Sequence, residues 1–540
     1  MRKNFLKHRQ YILLLAIAGS FIVLFFSLFL TYKIRPYNSD DVGIQNAILS
    51  WRPFSHQTLY LSPDTWLANI PFYLFFSLFM NPGRHLLFVE GLFFAFLNLV
   101  FFYISLAYFY KKFKIKFNSF SILPVIWLTS FGSSLMILFL NTNLRNYEIG
   151  LSFVLFMIVS IVLDGVLDFR KNINKFAYVL VCAIIGLLVL NDPMYLYLVV
   201  FPIIFFLLFH YLKSSKYRKR IRTIFYGFIL SGVFYEIFRK LLILSGVKIY
   251  PQPPTFVNYA TLFSNISTAF HGLLIVFSAD IFGRNLLNLT TIGYSINFLL
   301  LLFIIYRMFK AHNQLSENGK DDPSYLAKSW LTFFIFEFLF IFIVYFISNQ
   351  LSNLLTYRYL VLEPFLVAFM FIPLINNLDK NIKLFLLSII SVSVFFNVII
   401  SFVNTNAQGI VPVGNLGNSQ DYTLIQFLES KKLFKGYGQY WEANIEAYLS
   451  NNKIDIYPVV CSNNKTVLFN WFVNGGQLNK LSKNSFIILD YSGTPMCSST
   501  DILNEFGKPY QEYLIQNKEI LIYNYDIGLR IKQFPSQPAL

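Results

Sequence analysis

Tyr11-Ile-Leu-Leu-Leu-Ala-Ile-Ala-Gly-Ser-Phe-Ile-Val-Leu-Phe-Phe-Ser-Leu-Phe-Leu-Thr31 runs for 21 residues without a charge. About 20 apolar residues suffice for a helix to cross the hydrocarbon core of a bilayer. Before it stands Met1-Arg-Lys-Asn-Phe-Leu-Lys-His-Arg9, which is basic. No small-residue cleavage site follows, so the segment is expected to be an uncleaved signal anchor with its N-terminus inside. After it comes Arg35-Pro-Tyr-Asn-Ser-Asp40-Asp41-Val-Gly43, an acidic pair about eight residues beyond the span.

The composition extends this reading to most of the chain. Of 540 residues, 56% are hydrophobic, 19% aromatic and only 13% charged, and Phe alone occurs 63 times. Soluble domains carry about 25% charged residues. Much of this apolar surface must therefore face lipid. Net charge is +17, yet residues 404–540 hold 11 basic and 11 acidic side chains. The whole excess lies in the apolar part, 33 basic against 16 acidic residues, and falls in short loops. That distribution serves membrane topology and excludes a nucleic-acid partner.

Further apolar segments are read as spans at His85–Tyr110, Phe120–Leu140, Ile149–Asp168, Phe176–Leu190, Tyr195–Phe209, Thr223–Phe238, Thr291–Tyr306, Trp330–Ser348, Leu360–Ile375 and Leu384–Val403. The expectation is thus a polytopic α-helical membrane protein with about 11 spans. Trp66–Met80 is apolar but short, and is expected to be an interfacial or re-entrant helix. The loop charges set the orientation. The expected inner windows hold 23 Lys and Arg in 68 residues, and the outer windows 10 in 130. This asymmetry puts the N-terminus in the cytoplasm and the C-terminal region outside it.

Two outer loops are long, residues 32–84 and 239–290. The second opens with Tyr250-Pro-Gln-Pro-Pro254, an extended run, and continues into Phe256–Phe282, suited to amphipathic helices lying on the membrane. Beyond residue 403 the linker Gln408–Gln420 is rich in Gly, Pro and Asn. Then follow helix-forming stretches at Tyr422–Leu433 and Trp441–Ser450 and strand-like runs at Ile454–Val460, Thr466–Phe472, Ser485–Asp490 and Glu519–Tyr525. A small extracytoplasmic α/β domain is expected over 404–540, beside a membrane core over 1–403. Cys461 and Cys497 both lie there and could pair in an oxidising compartment.

Chemistry-bearing residues collect on the expected outer side. Asp40 and Asp41 could act as general base or hold a metal bridging a phosphate, and equally suit a helix start. In Asn141-Thr-Asn-Leu-Arg145-Asn-Tyr147-Glu148, a helical turn would put Arg145 and Glu148 on one face, one able to grip a phosphate and the other to act as acid, base or ligand, and the two equally suit a surface ion pair. Asp192, before Pro193, suits a site or a helix cap. Tyr357-Arg358-Tyr359 puts a cation among aromatics, which suits an anionic headgroup and equally an aromatic belt with a snorkelling Arg. His271, Asp280 and Arg284 are the strongly chemical residues between Phe256 and Leu289, and Glu236, Arg239 and Lys240 rank below them. Zinc spacing, a P-loop and a GxSxG elbow are absent from the sequence.

Taken together, Asp40-Asp41 after the first span, Ser62-Pro-Asp64-Thr-Trp66-Leu-Ala-Asn-Ile-Pro71, Tyr357-Arg358-Tyr359-Leu and Gly436-Tyr437-Gly438-Gln-Tyr440-Trp441 resemble the GT-C superfamily of membrane glycosyltransferases. Those enzymes take a sugar from a polyprenyl-phosphate carrier. The resemblance implies Asp40 or Asp41 as catalytic base, Glu148 as a second acid, and Arg145, Arg358 and Tyr357 as contacts to the donor phosphate, with Asp192, His271 and Arg284 as further site candidates. It implies a lipid-linked sugar donor and a glycan, lipid or protein acceptor at the outer face of a bacterial inner membrane. The second acid is Asp41 where the family often has Glu, which leaves metal use open. Magnesium or manganese would take Asp41 and Glu148 as ligands. Two rivals stand beside this reading, a lipid or polysaccharide transporter and a non-catalytic assembly factor of envelope glycan synthesis. A transporter needs ionisable groups near the bilayer midplane, and the spans drawn above place nearly all such groups at their ends.

Overall fold

The computed structural model describes residues 39–55, 57–62, 64–65, 67–81, 84–113, 128, 146–165, 172–213, 215–249, 255–285, 287–314, 323–348, 357, 359–376, 378–407, 420–451, 453–462, 465–469, 471–475, 482–491 and 497–531. The expected spans Tyr11–Thr31 and Phe120–Leu140 lie outside these, apart from residue 128 of the second. So do Arg145, Arg358, the run Tyr250–Pro254 and nearly all of the linker Gln408–Gln420.

In chain order the helices of the first 403 residues and their close neighbours are α1 (Ser39–Ser50), α2 (Ile70–Ser77), α3 (Arg84–Lys112), α4 (Asn146–Asp164), α5 (Asn172–Asn191), α6 (Phe201–Lys213), α7 (Arg218–Leu244), α8 (Tyr259–Val276), α9 (Leu289–Gln314), α10 (Pro323–Ile347), α11 (Leu362–Asn376) and α12 (Lys380–Ala407). A π-helical turn, Leu196–Val200, leads into α6. Among the described residues six segments are long and apolar enough to cross a membrane: Val89–Lys112, Asn172–Asn191, Leu196–Lys213, Tyr259–Val276, Leu289–Lys310 and Lys328–Ile347. Leu362–Phe371 and Asn381–Asn397 are shorter apolar helices. The chain is a multi-pass α-helical membrane protein. The count of eleven is not reached among the described residues. The expected span Thr223–Phe238 falls within α7, whose Tyr226, Ile229, Val233, Ile237, Leu241 and Leu244 form an exposed apolar stripe at helical spacing.

At 8 residues α2 is about 12 Å long, far short of a bilayer, and exposes Leu74, Phe75, Leu78 and Phe79 around it. Helix α8, one of the six apolar segments, packs against the C-terminal end of α10. Phe256 bridges Ser348, Asn265 Nδ2 donates to the Phe346 carbonyl at 3.3 Å, and Gly272 lies against Tyr345. Tyr259, Phe263 and Phe270 of α8 are exposed.

Below that end the interior is a stack of rings, which accounts for part of the phenylalanine content. Phe153 and Phe369 stack at 4.5 Å and 6°, and Phe102, Phe365, Phe334, Phe109 and Trp330 continue the cluster edge to face. Helices α3 and α4 approach closely because Gly150 has no side chain. A Cβ there would stand 2.9 Å from Asn98 Oδ1 and from Phe101 Cβ.

The C-terminal domain contains α13 (Gln420–Ser430), β3 (Lys435–Gln439), α14 (Tyr440–Leu449), β4 (Asp455–Ser462), β5 (Lys465–Leu468), β6 (Val473–Asn474), β7 (Ser485–Asp490), α15 (Ser499–Phe506), β8 (Gln511–Ile515) and β9 (Lys518–Tyr523). Its six-stranded sheet has the order β5-β4-β3-β7-β9-β8, with β3 parallel to both neighbours and the remaining pairs antiparallel. Buried ion pairs Lys435–Asp526 at 2.9 Å and Lys518–Glu446 at 2.6 Å join distant parts of it. Cys461 and Cys497 form a disulfide.

This packing is not confined to residues 404–540. Strand β1 (Leu59–Leu61) pairs in parallel with β2 (Val247–Ile249) and antiparallel with β6, so both long loops and the C-terminal domain share one small sheet. Helix α1 joins them. Val42 is buried with Leu424, Leu428 and Ile456, and Ile44, Ala47 and Ile48 with Leu59, Val247, Tyr440 and Phe472. The two loops and the domain thus lie on one face of the membrane bundle, here termed the domain face.

Candidate functional site

Asp40 and Asp41 occupy the first turn of α1, where carboxylates suit the helix dipole. Their side chains lie outside the described residues. Gln45 Nε2 donates to Glu90 Oε2 at 2.8 Å, both groups buried, which ties α1 to the membrane helix α3. Asn46 Nδ2 donates to the Asn444 carbonyl at 3.0 Å, which ties it to α14 of the domain. Gly43 permits the contact, since a Cβ there would stand 2.7 Å from Asn444 Nδ2 and 3.1 Å from Phe472 Cβ. The acidic pair is therefore held from both sides, two residues before a position with no room for a side chain.

Around this helix the domain face gathers polar groups from several segments. Thr65 Oγ1, in the first loop, donates to the Leu190 carbonyl at 2.8 Å. Asn191 Nδ2, next along, donates to Glu148 Oε1 at 2.9 Å. Glu148 is 3% exposed and lines a cavity of about 30 Å³ with Ser152, Tyr195, Tyr359, Val361 and Leu362. Asp192 is buried, and its Oδ1 accepts from the Met194 N–H at 2.8 Å, so it caps the turn after Pro193. The structure thus brings Glu148, Asn191, Asp192 and the Tyr359 segment together. Arg145 and Arg358 adjoin this group in sequence and lie outside the described residues.

His271 and Asp280 meet on the same face, at the end of α8, with Nδ1 and Oδ1 3.0 Å apart. The Arg284 guanidinium lies 4.8 Å from the centre of the Tyr294 ring. Gly272 touches Tyr357 at 3.4 Å from its Cβ position, so this group flanks the Tyr357–Leu362 segment on the side away from Glu148. Arg239 and Glu236 form an exposed pair at 2.9 Å on α7 and have the character of a surface ion pair.

Sequence reasoning missed three buried groups. Gln45 and Glu90 have no local signature, since their partners are 45 residues apart. Glu337 is the lone acid inside the expected span Trp330–Ser348 and lies at its middle. It is fully buried, as is Glu363, and among the described residues no oxygen of either has a hydrogen-bond partner. Glu337 is an exception to the expectation that nearly all ionisable groups lie at span ends. A single acid in an otherwise unbroken apolar run was the available signal.

Among the described residues no three His, Cys, Asp or Glu side chains are grouped to hold a metal ion. Glu148 already accepts from Asn191, and the side chain of Asp41 lies outside the described residues. The described donors do not fit a divalent ion.

Fold and site together define a multi-pass membrane protein whose loops and C-terminal α/β domain enclose a polar, acid-lined cluster at one face. Compared with known proteins, the chain matches no family model and no curated protein. The functional reading therefore rests on the residues.

Proposed function

We propose that the chain is a membrane glycosyltransferase of the GT-C kind, acting at the outer face of a bacterial inner membrane with its N-terminus in the cytoplasm. It moves one sugar from a polyprenyl-phosphate carrier to a hydroxyl of a glycan, lipid or protein. The observation that carries this reading is the convergence on one face of α1, Glu90, Glu148, Asp192 and the Tyr357–Leu362 segment, with an aromatic floor beneath. A carrier lipid anchors its phosphate at the interface, so the reacting bond must meet the protein at that depth.

The reaction is a direct displacement. The acceptor oxygen forms a bond to the anomeric carbon as the bond from that carbon to the phosphate oxygen breaks. Asp40 or Asp41 takes the acceptor's proton. Arg145 and Arg358 meet the charge that grows on the departing phosphate. The α1 clamp between Glu90 and Asn444 holds the base at fixed distance, where small displacements are costly in rate.

Glu337 favours a second reading, a transporter, because it puts an acid deep in the bundle. Mass spectrometry of lipid-linked sugars and surface glycans in a deletion strain separates the two. A transferase leaves its charged donor on the outer leaflet and the acceptor one sugar short. A transporter leaves its lipid-linked cargo on the inner leaflet. Unchanged glycans and donor pools would remove both.

A further inference from the structure

The least expected groups in the molecule are the two carboxyls inside the bundle. Glu337 on α10 and Glu363 on α11 are fully buried, and among the described residues none of their four oxygens has a hydrogen-bond partner. Phe334 and Phe369 touch with ring centroids 5.3 Å apart, which sets the register of the two antiparallel helices. Glu337 and Glu363 then lie within about 5 Å of each other along the bundle axis. Two ionised carboxylates so placed, unpaired and out of water, would be untenable.

A way in exists from the domain face. Glu363 follows Leu362, which lines the Glu148 cavity. Tyr195 lines the same cavity beside Ser152 and is 3% exposed. The cavity has room for about one water molecule. Tyr195 lies within electrostatic reach of both Glu148 and Glu337, and Glu363 within reach of Glu337. The cavity, the Tyr195 hydroxyl and the two carboxyls thus follow one another from the domain face into the bundle.

No such series leads the other way among the described residues. Beyond Glu337 the rings of Phe333, Phe334 and Trp330 fill the space between helices. Lys112 lies over Trp330, seven residues or about 10 Å further along α10, and is engaged by Asp164 at 2.9 Å. Among the described residues, the ionisable groups within electrostatic reach of the pair are Tyr195, from the run before the π turn, and, behind it, Glu148 from α4. Helices α6 and α8, which also pack on α10, carry His210 toward the Trp330 end and His271 beside Asp280.

We infer that Glu337 and Glu363 form an intramembrane proton-binding site, carried as neutral acids and exchanging protons with the domain face only, through Tyr195 and the Glu148 cavity. The site takes up a proton rather than a larger ligand because the cavity admits little more than a water. Opening to one face only, it is a store for protons released or needed at that face, not a path across the membrane.

Infrared difference spectroscopy of the full-length protein in lipid nanodiscs tests this without any sugar substrate, so its result is independent of the transferase reading. At neutral pH the wild type should show a carboxylic-acid C=O band that Glu337→Gln and Glu363→Gln each diminish. On transfer to D₂O the band should shift promptly, and in Tyr195→Phe about tenfold more slowly, the effect of one lost hydrogen-bonding relay. Absence of the band, failure of the wild-type band to deuterate, or an unchanged rate in Tyr195→Phe would each overturn the inference. If the Gln variants do not fold, wild-type protein treated with a hydrophobic carbodiimide should be modified at Glu337 or Glu363, as peptide mapping would show. Modification at neither overturns the inference as well.

Discussion

Two glycines in helix interiors provide a matched test of how α1 is held. Gly43 is in α1 and Gly232 in α7, so Gly→Ala gains about 1 kcal/mol of helix propensity at each. Their surroundings differ. A Cβ at Gly232 meets nothing within 4 Å, whereas at Gly43 it stands 2.7 Å from Asn444 Nδ2 and 3.1 Å from Phe472 Cβ. The Asn444 amide can rotate only within a buried site, and Phe472 Cβ cannot move without its backbone. Overpacking of this kind costs about 1–3 kcal/mol. Gly232→Ala should therefore stabilise the protein by about 1 kcal/mol, while Gly43→Ala should be neutral or destabilising by up to about 2 kcal/mol. Thermal unfolding of the two variants side by side in one detergent reads the difference. Gly43→Ala should also lower sugar transfer, since it displaces the helix that carries Asp40 and Asp41, and Gly232→Ala should not. Equal stabilisation by both substitutions would refute the docking of α1 against the C-terminal domain.

Other outcomes follow from separate contacts. Replacing Cys461 and Cys497 by Ser opens a loop with a sequence separation of 36 and should cost the C-terminal domain about 4 kcal/mol, seen as a lower unfolding midpoint under non-reducing conditions only. Burial pushes the Asp526 carboxyl up, but the Lys435 ammonium and the N–H groups of Ser482 and Gly528 outweigh it and hold it below the usual carboxylate range. The stability it contributes is present above about pH 4 and lost as pH falls through the lowered value. Asp526→Asn should weaken that acid dependence and, by leaving Lys435 buried without its partner charge, cost about 3–5 kcal/mol at neutral pH. A double-mutant cycle on Gln45→Leu and Glu90→Leu should return a coupling of about 1.5–3 kcal/mol, as expected for a buried amide donating to a carboxylate. A coupling near zero would show that α1 is not tied to α3 through this bond.

Features with local physics were legible in the sequence. Ser485–Asp490 is a continuous apolar run bounded by polar residues, and β7 occupies those residues. Trp66–Met80 was too short to span, and α2 is a helix of 8 residues. The Pro-flanked Asp192 was equally readable as a cap, and its Oδ1 does accept from Met194. Features set by distant partners were not legible. Lys435-Gly-Tyr-Gly-Gln439 has a charge and two glycines and does not read as a strand, yet β3 is fully buried at the centre of the sheet. Its lysine is buried because Asp526, 91 residues on, neutralises it. Strand β8 was missed for the opposite reason, since it is an exposed edge strand with polar residues among the apolar ones. The site divides in the same way. The sequence pointed to Glu148, Asp192, His271 and the Tyr357–Tyr359 segment as residues of one face, but Gln45, Glu90 and Asn444 hold α1 through contacts of 45 and 398 residues' separation.

The central claim is that Asp40 or Asp41 removes a proton from the acceptor. Its most direct test uses purified protein in nanodiscs, a polyprenyl-phosphate sugar and membrane glycan acceptors from the deletion strain, with Asp40→Asn, Asp41→Asn and the double variant compared at matched folding. The account predicts that one single variant and the double lose turnover by about 10²–10⁴-fold, with donor binding retained. Wild-type turnover in both single variants and in the double, with folding intact, would contradict it.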